Sequence, residues 1–347
     1  MRIAIVSVQA CPLADGTGQS SHVAELCAGL SAAGHEVVVH TRRDAPEPTA
    51  GKAGYTVEHV RAGPPRVLTE DELVPHLGDF AEHLATRWRQ RPPDVVHAHH
   101  WTSGLVSVIA AHLPEVPVVH SCHGLRESTV ELCPDAESLV VRRAALLTAT
   151  STAEAAELWR LGVPRGRVSV VPSGVDATLF HPEGPVDLHD GRVRIALAGP
   201  PSEDATAATD TLLSTVDNIE LVAVHEVPRQ DRPKVLRSAD VVLCAPTSER
   251  YGIVALEAMA CGVPVVATAV GALADIVLPD VTGVLVRPGD SRHLARTLRA
   301  LLTDETLRER YGIAARDRVL GRYSRGRLAR EAVAVYERVA RRLPAGR

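Results

Sequence analysis

Two glutamates, Glu249 and Glu257, are eight residues apart and could accept hydrogen bonds from the hydroxyl groups of a sugar. Glu249 ends a loop after an apolar strand, and Glu257 lies about two turns into the following predicted helix. Residues 252–254 fall at the start of that helix, where unpaired N–H groups and the helix dipole favour an anion such as a pyrophosphate. Gly252 allows close approach to the backbone. The spacing alone fits equally a structural role for both residues, with Glu249 as a charge at the helix N-terminus and Glu257 as a solvent-exposed residue of the helix.

The elements that must position these side chains form a regular alternation of short strands and helices. The strand segments are continuous rather than alternating in polarity, which is typical of parallel sheets covered by helices on both faces. Strands are predicted at 2–8, 36–41, 55–60, 94–98, 116–122, 145–150, 168–172, 192–198, 219–224, 240–245, 263–268 and 282–286. Helices are predicted at 19–33, 70–90, 102–113, 135–144, 152–161, 204–216, 231–238, 252–261, 271–277, 290–303, 304–319 and 325–343.

A region without periodicity separates two halves of this pattern. Residues 173–192 are rich in proline, glycine and aspartate, and they predict a hinge. The sequence therefore predicts an α/β protein with two Rossmann-like domains, at 1–172 and 193–324, which face each other across a cleft. A last helix within 325–347 is expected to cross back to the first domain. A cleft of this kind is a common place for a small-molecule site.

Composition narrows the class of protein. The 347 residues fit about two domains, and a net charge of −4 provides no basic field for nucleic acid. Only Lys52 and Lys234 are lysines among the 38 basic residues, so chemistry that needs a lysine has two candidates. The six cysteines lack zinc-site spacing, and no segment is typical of a signal peptide or membrane span. We expect a cytoplasmic protein without metal, cofactor or stable membrane insertion.

The segment around the two glutamates resembles a known family. Residues 249–268, ERYGIVALEAMACGVPVVAT, are similar to the E-x7-E segment of the retaining glycosyltransferases of family 4, which have the GT-B fold. The likeness continues through 271–286, with Ala272 and Asp275 in place of the usual glycine and glutamate. Five segments up to residue 176 also resemble this family, at 18–23, 34–37, 94–101, 120–125 and 171–176. The resemblance covers nearly the whole chain.

The resemblance implies an activity and roles for individual residues. It implies metal-independent, retaining transfer of a hexosyl or amino-hexosyl unit from a nucleoside-diphosphate sugar, for which we expect UDP. The expected acceptor is a hydroxyl group of a small polar compound such as an aminocyclitol or an inositol. The implied catalytic residues are His123 and Glu249. The implied donor-binding residues are Gly18, Arg229, Lys234, Tyr251, Gly252, Ile253, Val254 and Glu257, and the implied acceptor-side residues are His99, His100 and Trp101.

The second domain departs from the family pattern at its first loop. Family members carry an arginine and then a lysine there, which neutralise the leaving pyrophosphate, whereas this chain has the acidic segment 199–204, GPPSED. Since about 40 residues separate this loop from strand 240–245, we expect a shortened domain. Two alternatives stay open: a degenerate, non-catalytic nucleotide-sugar-binding partner of another glycosyltransferase, and a nucleotide-sugar epimerase. A homodimer or a complex with a partner protein also stays open.

Overall fold

The computed structural model describes residues 1–14, 16, 18–46, 54–112, 114–124, 128–188 and 191–341. The chain folds into two compact units. Unit 1 comprises residues 1–14, 23–171 and those from 328 onward, and unit 2 comprises residues 15–22 and 172–327. Among the helices in these described ranges, none is long and apolar enough to cross a membrane.

Strands and helices alternate along most of the chain. The described strands are β1 (Arg2–Val6), β2 (Glu36–Arg42), β3 (Thr56–Val60), β4 (Val95–His99), β5 (Val118–Ser121), β6 (Leu146–Ala149), β7 (Val168–Val170), β8 (Val193–Leu197), β9 (Ile219–Ala223), β10 (Val241–Cys244), β11 (Val265–Thr268) and β12 (Gly283–Val286). The described α-helices are α1 (Gln19–Ala32), α2 (Glu70–Leu73), α3 (Leu77–Gln90), α4 (Trp101–Ala110), α5 (Cys133–Arg143), α6 (Thr152–Arg160), α7 (Glu203–Leu213), α8 (Arg232–Arg237), α9 (Ile253–Ala260), α10 (Leu273–Ile276), α11 (Ser291–Thr303), α12 (Glu305–Arg318) and α13 (Arg325–Ala340).

Unit 1 is built on a seven-stranded sheet in the order β3-β2-β1-β4-β5-β6-β7, with all neighbouring strands parallel. Helices α3, α4 and α5 contribute to the core on one face, and α1 and α13 contribute to the core on the other. Strands β4, β5 and β6 are buried along their whole length. Coverage of both faces explains why these strands are mostly apolar in sequence.

Unit 2 has a five-stranded parallel sheet in the order β12-β11-β10-β8-β9. Helices α8 and α9 help to form the core on one face, and α7 and α11 that on the other. The strand order reverses between β8 and β10, and in open α/β sheets ligands bind where the order reverses. The structure thus confirms the predicted pair of parallel α/β domains.

The single helix predicted at 70–90 is wrong. A capping box between Thr69 and Glu72 begins α2, but a 3₁₀ turn at Val74–His76 interrupts the α-helix before α3 begins. Pro75 lies in this turn and has no N–H group to donate to an α-helix. Each of the other predicted helices and strands overlaps an observed element. The predicted helix ends at 113 and 343 lie outside the described residues.

Glu58 of β3 contacts two histidines and an arginine on unit 1. Its carboxylate lies 3.3 Å from His40 Nδ1, 2.9 Å from His83 Nε2 and 3.2 Å from Arg87 Nε. The contact with His40 is the main cause that lowers the pKa of Glu58 to about 2, and it outweighs partial burial. A carboxyl group whose pKa is lowered by folding stabilises the folded state at pH values above its ordinary pKa. This contribution is lost as the pH falls through the folded-state pKa.

We therefore expect Glu58→Gln to lower the free energy of unfolding by about 1–3 kcal/mol at pH 7. The difference from wild type should fall by more than half by pH 3, because the wild-type carboxylate is then losing the same contribution. Urea unfolding at pH 7, 5 and 3 measures it, with exposed Glu82→Gln on α3 as the matched control. A difference that stays constant with pH would contradict this role of Glu58.

Candidate functional site

A cavity of about 390 Å³ lies in unit 2 at the point where the sheet order reverses. It is bordered by the segment after β8, the segment after β10 and the start of α9. The predicted site residues that line it are Gly18, Glu249, Gly252, Ile253 and Val254. Tyr251 is close to this group, because a Cβ built on Gly18 would lie 3.6 Å from its ring. The structure therefore brings most of the predicted donor-binding segment to one cavity.

Glu249 is held rigidly at the edge of this cavity. Its Oε1 accepts hydrogen bonds from the N–H of Tyr251 at 2.9 Å and from the N–H of Gly252 at 3.0 Å. Its backbone carbonyl accepts from the N–H of Ala272 at 2.9 Å. No contact of the second carboxylate oxygen with another described residue is observed. One oxygen thus fixes the turn, while the other could accept a hydrogen bond from a ligand hydroxyl.

The start of α9 can bind an anion. Gly252, the residue before the helix, has φ of +64°, in the left-handed region that glycine adopts without strain. Its N–H already donates to Glu249, so the N–H groups of Ile253, Val254 and Ala255 are those the helix itself leaves unpaired. Together with the helix dipole they favour a phosphate group there.

Glu257 belongs to a buried ionic cluster. The carboxylate is fully buried, with Arg229 Nε at 3.1 Å and Arg232 Nη1 at 3.3 Å. Burial raises the pKa of Glu257 above its ordinary value, although both arginines act in the opposite direction. Arg232 also donates to the carbonyl oxygens of Val227 and Gly16. Arg232 is not among the residues predicted from the sequence; the available signal was a second arginine three residues after Arg229.

We expect Arg232→Met to lower the free energy of unfolding by about 3 kcal/mol or more, because it removes the buried partner of Glu257 and leaves only the partly exposed Arg229. Differential scanning calorimetry of the variant measures the loss. Adding Glu257→Gln to the same chain should restore part of it, because the uncompensated charge disappears. Unchanged stability of Arg232→Met would show that the buried pair does not support unit 2.

The cationic residues predicted for the donor lie outside the cavity lining. Arg229 pairs with Glu257, and its guanidinium carbon lies 5.3 Å from the centre of the Phe180 ring. Lys234 forms an exposed ion pair with Asp231 on α8. Among the described residues that line the cavity, none is an arginine or lysine, and His225 is the single imidazole. Donor binding by Arg229 and Lys234 therefore stays a prediction.

In unit 1, histidines gather at the carboxyl ends of β4 and β5. His99 Nδ1 and His123 Nε2 are 2.8 Å apart, and the two rings stack with an interplanar angle of 13°. His97 lies two residues before His99 on β4 and contacts the Tyr336 hydroxyl at 2.7 Å and the Ser121 hydroxyl at 2.9 Å. The predicted catalytic and acceptor-side histidines at 123 and 99 are thus direct neighbours.

His100 and Trp101 occupy different surroundings. His100 precedes α4 with φ of +75°, and its Nε2 lies 3.4 Å from the Glu70 carboxylate. Trp101 is 2% exposed and belongs to the core on the α3–α5 face. Where the resemblance implies an acceptor contact, the structure therefore shows Trp101 as a core residue, whose indole N–H donates to the Glu70 carboxylate at 3.4 Å. Its part in acceptor binding stays a prediction.

Known proteins match the chain along its length. The family models for Glycosyltransferase Family 4 and Glycosyl transferases group 1 match residues 16–179 and 192–318. D-inositol 3-phosphate glycosyltransferase of Kineococcus radiotolerans is 33% identical, over 97% of this chain and 95% of that relative. The alignment spans 414 positions, more than the 347 residues here, so the relative carries insertions that this chain lacks.

Solved structures show the same fold at lower identity. Sucrose-phosphate synthase from Thermosynechococcus elongatus has a TM-score of 0.81 and 24% identity, over 97% of this chain and 98% of that one. Anabaena HepE in complex with UDP and glucose has a TM-score of 0.74 and 17% identity, over 97% of this chain and all of that one. The two α/β units match GT-B glycosyltransferase structures. The chain belongs to glycosyltransferase family 4 and is an enzyme that transfers glycosyl groups.

Proposed function

We propose that this glycosyltransferase moves a hexosyl or amino-hexosyl group from a UDP-sugar to a hydroxyl group of a small cyclitol. The observation that carries the proposal is the unit 2 cavity, where Glu249 is fixed by two amides beside the start of α9. The acceptor class is supported by relatives named for D-inositol 3-phosphate. The nucleotide is supported by the HepE structure that contains UDP.

The proposed reaction proceeds with retention of configuration and without a metal. The bond from the anomeric carbon to the phosphate oxygen breaks while the acceptor oxygen bonds to the same face of that carbon. The leaving phosphate takes the acceptor proton, so no carboxylate base is needed. The amides of Ile253 and Val254 stabilise the pyrophosphate. Glu249 and His123 orient the transferred sugar, and precise orientation accounts for much of the rate.

A binding protein without catalysis is the second candidate. The observation that favours it is the cavity lining, which has no arginine or lysine among the described residues to neutralise the leaving group. In that case the chain would bind nucleotide sugar and act through a partner glycosyltransferase.

We also propose a cytoplasmic location, which the six buried, unbridged cysteines support. Cell fractionation would test this location.

A donor and acceptor screen separates these candidates. The protein would be incubated with UDP-, GDP- and ADP-glucose and with UDP-N-acetylglucosamine, each with inositol 3-phosphate, free inositol or an aminocyclitol. Mass spectrometry should detect a glycosylated cyclitol with a UDP-sugar, at equal yield with and without EDTA. Measurable donor binding without any product across the panel would favour the binding protein. Conversion of the donor sugar in the absence of acceptor would favour an epimerase.

A further inference from the structure

The backbone of His123 is held in an unfavourable conformation. This residue follows β5 with φ of +56°, in the left-handed region that costs a residue with a side chain. The residue is 2% exposed, and its ring is already fixed by stacking on His99. Because a strained residue relaxes unless its surroundings hold it, a neighbouring group must keep this loop in place.

The carboxylate of Glu154 is that group. Its Oε1 accepts a hydrogen bond from the His123 N–H at 2.9 Å. Its Oε2 accepts from the Thr150 N–H at 2.7 Å and from the Thr150 hydroxyl at 2.9 Å. The N–H of Gly124 also donates to this carboxylate. One side chain therefore connects the end of β6 with the segment that carries His123.

A comparison with Glu72 separates this role from ordinary helix capping. Both glutamates are the third residue of a helix whose N-cap hydroxyl accepts their N–H. Glu72 completes a capping box, because its carboxylate accepts the N–H of Thr69, the N-cap of its own helix. Glu154 instead uses its carboxylate on His123 and Thr150, outside α6. Its contacts are thus directed at the loop after β5.

Glutamine cannot reproduce these contacts. A carboxylate accepts hydrogen bonds at both oxygens, whereas a carboxamide accepts at one and donates at the other. In the present geometry both oxygens receive N–H groups, at 2.9 Å and 2.7 Å. A carboxamide would place an NH₂ group against one of them, and either the bond to His123 or the bond to Thr150 would break. Burial raises the pKa of Glu154, while the hydrogen bonds act in the opposite direction.

We propose that Glu154 is a positioning residue of the transferase, which sets the backbone of His123 and thereby the direction of its imidazole. The inference rests on the proposed function, in which His123 orients the transferred sugar. Glu154 does not touch the sugar in this account. It acts through His123, so its effect must disappear when the imidazole is removed.

A double-mutant cycle tests this dependence. The kcat and KM values for the donor would be measured for wild type, Glu154→Gln, His123→Ala and the double variant. We expect Glu154→Gln to lower kcat at least tenfold with a small change in donor KM, because misplacement of a catalytic group reduces rate. In the His123→Ala background the same substitution should change kcat less than threefold, because coupled residues are not additive. An equal reduction in both backgrounds would overturn the proposal and indicate general structural damage.

Two further measurements keep the test independent of the proposed function. Glu72→Gln makes the same carboxylate-to-carboxamide change at the third residue of α2, where the amide oxygen can still complete the capping box, so it is the matched control and should leave kcat unchanged. NMR spectra of ¹⁵N-histidine protein should show a shifted His123 signal in Glu154→Gln and not in Glu72→Gln. If His123→Ala keeps full activity, the proposed role of His123 fails, while the NMR shift still supports positioning by Glu154. An unshifted His123 signal would overturn the positioning role.

Discussion

Replacing Glu249 by glutamine should lower kcat for sugar transfer by about 10²–10³-fold, while the fold stays intact. The structure explains why glutamine is the informative substitution. The oxygen that accepts from Tyr251 and Gly252 can remain as the amide oxygen, so the turn before α9 is preserved. The second oxygen becomes an NH₂ group and can no longer accept a hydrogen bond from a sugar hydroxyl. Initial rates with a UDP-sugar and inositol 3-phosphate measure the effect.

Glu309→Gln, an exposed substitution on α12 of the same unit, is the matched control and should keep wild-type kcat and stability. The melting temperature of Glu249→Gln should stay within a few degrees of wild type, because the hydrogen bonds to the turn are retained. Full transfer activity of this variant would contradict the assignment of Glu249 to the sugar. A large loss of stability would show that the second oxygen supports the fold instead.

Gly271→Ala should disrupt the same site indirectly, by displacing the backbone of Glu249 and leaving its side chain chemically unchanged. Gly271 has φ of +48°, and a Cβ at this position would overlap the backbone carbonyl oxygen of Glu249. We expect a loss of about 2–4 kcal/mol in the free energy of unfolding, from the left-handed conformation and the overlap together. Because the carbonyl that moves belongs to Glu249, kcat should also fall at least tenfold.

Gly289→Ala is the control for backbone conformation alone. Gly289 has φ of +85° and no atom within 4 Å of a built Cβ, so alanine there should cost about 1 kcal/mol and leave kcat unchanged. Urea unfolding and initial rates of both variants separate conformation from overlap. Equal losses of stability and kcat for the two variants would show that the overlap with the Glu249 carbonyl does not contribute to the effect of Gly271→Ala.

The fold could be predicted because its strands are buried on both faces. VVLC in β10 is apolar throughout and LLTA in β6 is apolar except for Thr148, as expected for strands of a parallel sheet that helices cover on both faces. The break between α2 and α3 had a local cause in Pro75 that the prediction of one long helix overlooked. The boundaries of elements are therefore readable from the sequence where a single residue type determines them.

Contacts between distant residues could not be predicted in the same way. Helix α9, IVALEAMA, is apolar on every side, so its sequence does indicate that Glu257 is buried. That Arg232 would neutralise it depends on how α8 packs against α9, 25 residues away in sequence. Glu154 is similar: its place in α6 predicts helix capping, and only the folded chain shows it bonded to His123.

Transfer of a sugar with retention from a UDP-sugar to a cyclitol hydroxyl fixes the configuration of the glycosidic bond in the product. The most direct test is NMR of the product formed from UDP-[¹³C]glucose or UDP-[¹³C]N-acetylglucosamine and inositol 3-phosphate. Both donors are α-linked, so retention predicts a one-bond C–H coupling at the anomeric carbon that is typical of an α-glycoside. A β-glycoside, or release of free sugar without a glycosylated cyclitol, would contradict it.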